Sequence, residues 1–150
     1  MDLRKTILSN LAEMAPPITG ACLCGNVRYT CTESPIWSVN CHCRSCQRLS
    51  GAPFVSAFSV PAHAFAVSGE TMSFRRSSDS GHEVTTAYCG SCGARIHAQS
   101  AGARHLMNVF ASSLTDPSAF RPIANVYLKE AVGWMDPPET MLNFPGMPHT

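Results

Sequence analysis

Charge is scarce in this chain. Only 14% of its 150 residues are charged, against roughly 25% in ordinary globular chains, a shortage that fits a surface partly covered in a homo-oligomer. Eleven Lys and Arg against ten Asp and Glu leave a net charge of +1, and no basic block stands out. That balance excludes bulk electrostatic capture of nucleic acid or of an anionic membrane. No apolar run approaches the ~18 residues that a membrane-crossing helix needs. Asp2, Asn10 and Glu13 break any secretory h-region, so the expected compartment is the cytoplasm. Internal repeats, low-complexity tracts, phosphate loops, paired carboxylates and a Ser/His/Asp set are all missing.

Cysteine, by contrast, is abundant. Eight fall into the groups Cys22/Cys24, Cys31, Cys41/Cys43/Cys46 and Cys89/Cys92. A chain of this length can bury a core without covalent help. In a reducing compartment its thiols are better read as metal ligands than as disulfides. Cys41 and Cys43 project to one side of an extended strand, and Cys43 and Cys46 have the C-x₂-C spacing of a zinc knuckle. One pairing joins Cys43/Cys46 with Cys89/Cys92 as a ribbon, although the intervening segment is far longer than usual. The other joins Cys22/Cys24 with Cys89/Cys92 in a closed four-sulfur site, which leaves Cys41, Cys43 and Cys46 one ligand short. Spacing favours the second. Cys31 continues the apolar alternation of Val27 and Tyr29 and reads as a core residue; the rival is that it closes the three-sulfur set. His42, between two ligands, points away from them. A reversible Cys43–Cys46 disulfide is a third possibility.

The rest of the pattern is mostly β. Leu3, Ile7, Leu11 and Met14 recur at helical spacing, so residues 2–14 predict a short amphipathic helix stopped by Pro16 and Pro17. Period-two alternation predicts strands over 27–31, 36–40, 54–60, 65–67, 71–74, 83–88, 95–98, 106–110 and 126–128. Residues 44–50 predict one helical turn ended by Gly51, and Pro117 opens another. The proline-rich segment from Gly133 is expected to wrap the surface. Domain organisation follows: residues 1–17 as a helical arm, residues 18–150 as one zinc-binding β domain with its tail.

In order, three segments resemble one family: 20–29, Gly-Ala-Cys-Leu-Cys-Gly-Asn-Val-Arg-Tyr; 41–46, Cys-His-Cys-Arg-Ser-Cys, followed by 51–54, Gly-Ala-Pro-Phe; and 88–93, Tyr-Cys-Gly-Ser-Cys-Gly. With 124–127, Ala-Asn-Val-Tyr, and Trp134, they are similar to the glutathione-dependent formaldehyde-activating family, which also contains centromere protein V. The resemblance implies a β-tent-like fold of packed antiparallel sheets. It implies two zinc ions, a structural one on Cys22, Cys24, Cys89 and Cys92 and an open one on Cys41, Cys43 and Cys46. It implies a carbon–sulfur lyase joining the thiol of glutathione to formaldehyde, with glutathione or its adduct as the small-molecule partner. Cys31 lies outside the family pattern. Arg48 and Phe54, close to the open set in sequence, are the expected substrate-binding residues, with Arg44, Arg75, Arg76 and Arg95 as further candidate cations. The competing class is a non-catalytic interaction module in which both metals only hold the fold.

Overall fold

The computed structural model describes residues 2–148; Met1, His149 and Thr150, at the ends of the two expected segments, lie outside the described residues. The chain is mostly β, in two sheets. Helix α1, Leu3–Glu13, begins where the Asp2 carboxylate accepts the backbone N–H groups of Arg4 and Lys5, satisfying orphan donors of the first turn. Its Leu11 and the following Met14 are buried, so this segment packs on its own domain. An Arg121–Glu13 ion pair at 3.0 Å holds the helix end.

A small sheet has the order β1-β2-β5, formed by β1 (Ile18–Ala21), β2 (Arg28–Cys31) and β5 (Phe65–Ser68). The large sheet contains β3 (Trp37–Cys41), β4 (Val55–Pro61), β6 (Thr71–Ser77), β7 (Glu83–Cys89), β8 (Arg95–Ser100), β9 (Leu106–Phe110), β10 (Ala124–Val126) and β11 (Leu142–Asn143). Its order is β11-β10-β3-β4-β9-β8-β7-β6. Between β3 and β4 runs helix α2, Arg44–Ser50, ended by Gly51 at φ 71°, the left-handed cap that glycine adopts without strain.

The large sheet separates two cores because successive side chains alternate between its faces. Phe58, Val60 and Val109 pack on one face against Ile18, Tyr29 and Cys31 of the small sheet. Val39, Ala124 and Val126 pack on the other with Ile7, Leu11, Cys43 and Tyr127. The sheet also curls. The Tyr127 hydroxyl, at the end of β10, donates to the Asp79 carboxylate at 2.6 Å, and Asp79 sits in the hairpin joining β6 to β7. Strands near opposite edges of an eight-strand sheet are therefore tied together, with the second face on the inside of the curl.

The structure departs from the sequence expectations in three places. The pairs β3–β10 and β10–β11 are parallel, so the large sheet is mixed rather than antiparallel throughout. The strand expected over 126–128 is instead β10, which stops at Val126 because Tyr127 takes φ 57°, leaving the extended region. The tail does more than wrap: Leu142 and Asn143 add a strand, and Tyr127 N–H donates to the Gly146 carbonyl at 3.1 Å.

Candidate functional site

Two turns from distant parts of the chain bring the first cysteine set together. After β1, the Cys22 N–H donates to the Val27 carbonyl at 2.9 Å, and the Val27 N–H donates back to the Cys22 sulfur at 3.2 Å. The matching turn after β7 pairs Cys89 N–H with the Ala94 carbonyl at 2.9 Å and Ser91 N–H with the Cys89 sulfur at 3.4 Å. Gly25 and Gly93 take φ of 82° and 78°, which these tight turns require. The sulfurs of Cys22, Cys24, Cys89 and Cys92 all lie within 4.8 Å of one another. Cys22–Cys24 is 3.6 Å and Cys24–Cys89 is 3.7 Å. A tetrahedral zinc with sulfur at about 2.3 Å separates its ligands by about 3.8 Å, so this set fits a closed structural zinc. Between the ordinary thiol and the thiolate, burial favours the thiol at Cys22. The Val27 N–H and the neighbouring sulfurs outweigh it and bring the group down to about 6.

Cys41, Cys43 and Cys46 form the second set, also within 4.8 Å of one another. Cys41 ends β3. Cys43 is the cap of α2, its sulfur accepting the Cys46 N–H at 3.3 Å. Cys46 lies in the first turn of that helix. Among the described residues no fourth Cys, His, Asp or Glu ligand atom joins them. Hydrogen bonds from Cys41 and Cys46 hold the Cys43 thiol far below its ordinary value, while Cys43, above all, pushes Cys41 far above its own. Metal binding would displace the protons these sulfurs carry.

His42 lies away from the sulfurs, as expected, and it is buried at 2% exposure. Its Nε2 pairs with Asn125 Oδ1 at 2.9 Å, and Asn125 Nδ2 in turn donates to Pro138, Thr140 and Asn143 of the tail. Gln47 donates to the His42 and Glu130 carbonyls at 2.6 and 2.9 Å, pinning α2 to the strand. Tail and helix thereby hold the sulfur-bearing turn from behind.

Arg48 is exposed on α2, and Phe54 packs on His42 with ring centroids 5.0 Å apart. Arg44 bonds to Gln47 and Arg75 faces Glu83 at 3.9 Å. Arg76 and Arg95, remote in sequence, are the cations that act electrostatically on Cys46, and Arg76 also acts on Cys43. Beside them lies an open cavity of about 230 Å³ lined by Leu49, Phe74, Thr86, Tyr88, Gly93 and Arg95. Tyr127 also flanks the sulfurs; burial, then the Asp79 carboxylate, hold its hydroxyl above the ordinary range, so it keeps its proton. A strand alternation locates Arg76 only when the sheet order is known, which is why the sequence could not rank these arginines.

Cys31 belongs to neither set. It is fully buried on the core-facing side of the small sheet, and burial raises its thiol to about 11. Cys31→Ala is expected to cost about 1 kcal/mol of stability and to leave metal content unchanged. A thermal melt with zinc analysis checks both; loss of a zinc would make it a ligand.

The family profile described as glutathione-dependent formaldehyde-activating enzyme matches residues 17–130. A crystal structure of a Rhodobacter sphaeroides protein is similar to this one at 17% sequence identity, with a TM-score of 0.52, over 65% of this chain and 87% of that chain; it speaks for the fold alone. Among curated proteins none matches the sequence.

Proposed function

The chain belongs to the glutathione-dependent formaldehyde-activating enzyme family, and on that footing we propose that it is a zinc-dependent carbon–sulfur lyase whose chemistry occurs at Cys41, Cys43 and Cys46. The reaction is the joining of a thiol, glutathione in the family's case, to formaldehyde, or its reversal. A carbon–sulfur bond forms, the carbonyl π bond breaks, and the thiol proton ends on the new hydroxyl oxygen. The supporting observation is the three-sulfur set that no fourth side chain completes among the described residues.

The two metal sites would then divide the labour. Cys22, Cys24, Cys89 and Cys92 would hold a structural zinc that fastens two loops. A zinc on the three-sulfur set would accept one outside ligand and lower the pKa of an incoming thiol. Arg76 and Arg95 offset the negative charge of the sulfurs. The adjoining cavity offers apolar walls to the body of the substrate. Among the described residues no helix is long and apolar enough to cross a membrane, in keeping with a cytoplasmic role for such chemistry.

Cobalt(II) in place of zinc tests this reading. Glutathione is expected to change the sulfur-to-cobalt absorption of the wild-type protein, and Cys46→Ser is expected to abolish that change. If neither glutathione nor a smaller thiol alters the spectrum at millimolar concentration, both metals are structural and the interaction-module reading replaces the lyase.

A further inference from the structure

We propose that Arg76 selects thiols that also carry a carboxylate, its guanidinium turning to meet that carboxylate while the thiol occupies the Cys41/Cys43/Cys46 site; this rests on the reading of that site given above. Register places Arg76 on the sulfur-bearing face. Cys41 pairs with Val55, and Ala57 and Ser59 on the same strand face pair with Phe110 and Asn108. Asn108 pairs with Ala98, and Ala98 with Thr86. Thr86 pairs with Phe74, and Arg76 follows two residues on. Because paired residues share a face, Cys41 and Arg76 both look into the curl. The Tyr127–Asp79 bond brings the hairpin beyond Arg76 to the flank of the sulfurs.

The Arg76 Nε is inaccessible to solvent and has no hydrogen-bond partner. A buried donor on a charged group without an acceptor is costly and uncommon. The same strand satisfies its other arginine differently: Arg75, on the opposite face, has Glu83 at 3.9 Å. Among the described residues no carboxylate pairs with Arg76, and nearby Asp79 already accepts from Tyr127. What the geometry lacks is a planar acceptor, and the Nε–Nη edge of a guanidinium matches a carboxylate in two parallel bonds. Arg95 remains to balance the sulfurs and borders the cavity that would take the remainder of the ligand.

The test compares 3-mercaptopropionate with 2-mercaptoethanol, which offer a thiol on a similar chain with and without the carboxylate. Both are titrated calorimetrically into the zinc-loaded full chain, its Arg76→Gln and Arg76→Lys variants. The wild-type protein is expected to bind the carboxylate-bearing thiol about tenfold or more tightly. Arg76→Gln is expected to erase that preference, any weakening from the lost charge beside the sulfurs falling on both thiols alike, and Arg76→Lys to keep part of it. A general folding defect would weaken both thiols together, so the ratio separates recognition from damage. Equal binding of the two thiols by the wild type overturns the role of Arg76 and leaves the thiol site standing. A preference that persists in Arg76→Gln overturns it too. If neither thiol binds the wild type, this proposal and the thiol reading fall together.

Discussion

Cys89→Ser is expected to unfold the domain rather than merely weaken it. Cys89 is 1% exposed and packs within the first core beside Cys22, Val27 and Ile96. Its sulfur also belongs to the four-sulfur set. Replacing it removes a ligand and puts a hydroxyl among apolar neighbours, so two penalties coincide. The larger is the metal: binding to a closed cysteine site contributes on the order of 10 kcal/mol to folding, comparable to the entire stability of an ordinary domain. The loops it joins are 65 residues apart across Cys24–Cys89, so without the metal little else holds their sulfurs together. Cys24→Ser separates the contributions, since Cys24 is exposed and serves the metal without filling the core. Both variants are expected to lose one zinc per chain and, with it, the cooperative melt; Cys24→Ser, which leaves the core filled, shows that loss of the metal alone suffices. A Cys89→Ser protein that melts within a few degrees of wild type would show that this metal holds nothing together.

Much of this site can be read from cysteine spacing. Two C-x-C or C-x₂-C turns with glycines at the bends state their own geometry, because the turn is local and only glycine relieves the positive φ of Gly25 and Gly93. The same holds for α2, whose cap at Gly51 falls where the pattern puts it. What spacing does not carry is anything set by the path of the sheet. β10 has three residues, all buried, and a run that short has no period to detect. Its parallel pairing with β3 brings Val126 opposite Cys41 and depends on where the chain returns, which no local propensity encodes. The arginines show the same limit most sharply. Arg48 lies two residues from Cys46 and is exposed, whereas Arg76 comes to the sulfur-bearing face through five successive strand pairings.

Cys46→Ser is expected to cost at least about a hundredfold in kcat/KM for S-hydroxymethylglutathione formation while the fold survives. Of the three sulfurs, this one is the least committed to structure. Cys41 ends a paired strand and Cys43 caps α2 through the Cys46 N–H. The Cys46 side chain, by comparison, is half-buried at the edge of its core, and its own backbone N–H donation to Cys43 is unaffected by serine. Serine is close in size, so packing changes little, but its alcohol gives up a proton far less readily than a thiol and is a poor zinc ligand beside sulfur. The second zinc, held by two thiolates, is expected to leave on dialysis against a mild chelator, whereas the first stays. Melting temperature within a few degrees of wild type, one zinc per chain and lost turnover together locate the chemistry at this set. Wild-type turnover with one zinc per chain would remove it from Cys41, Cys43 and Cys46 altogether, since the closed set of Cys22, Cys24, Cys89 and Cys92 leaves no coordination position for a substrate.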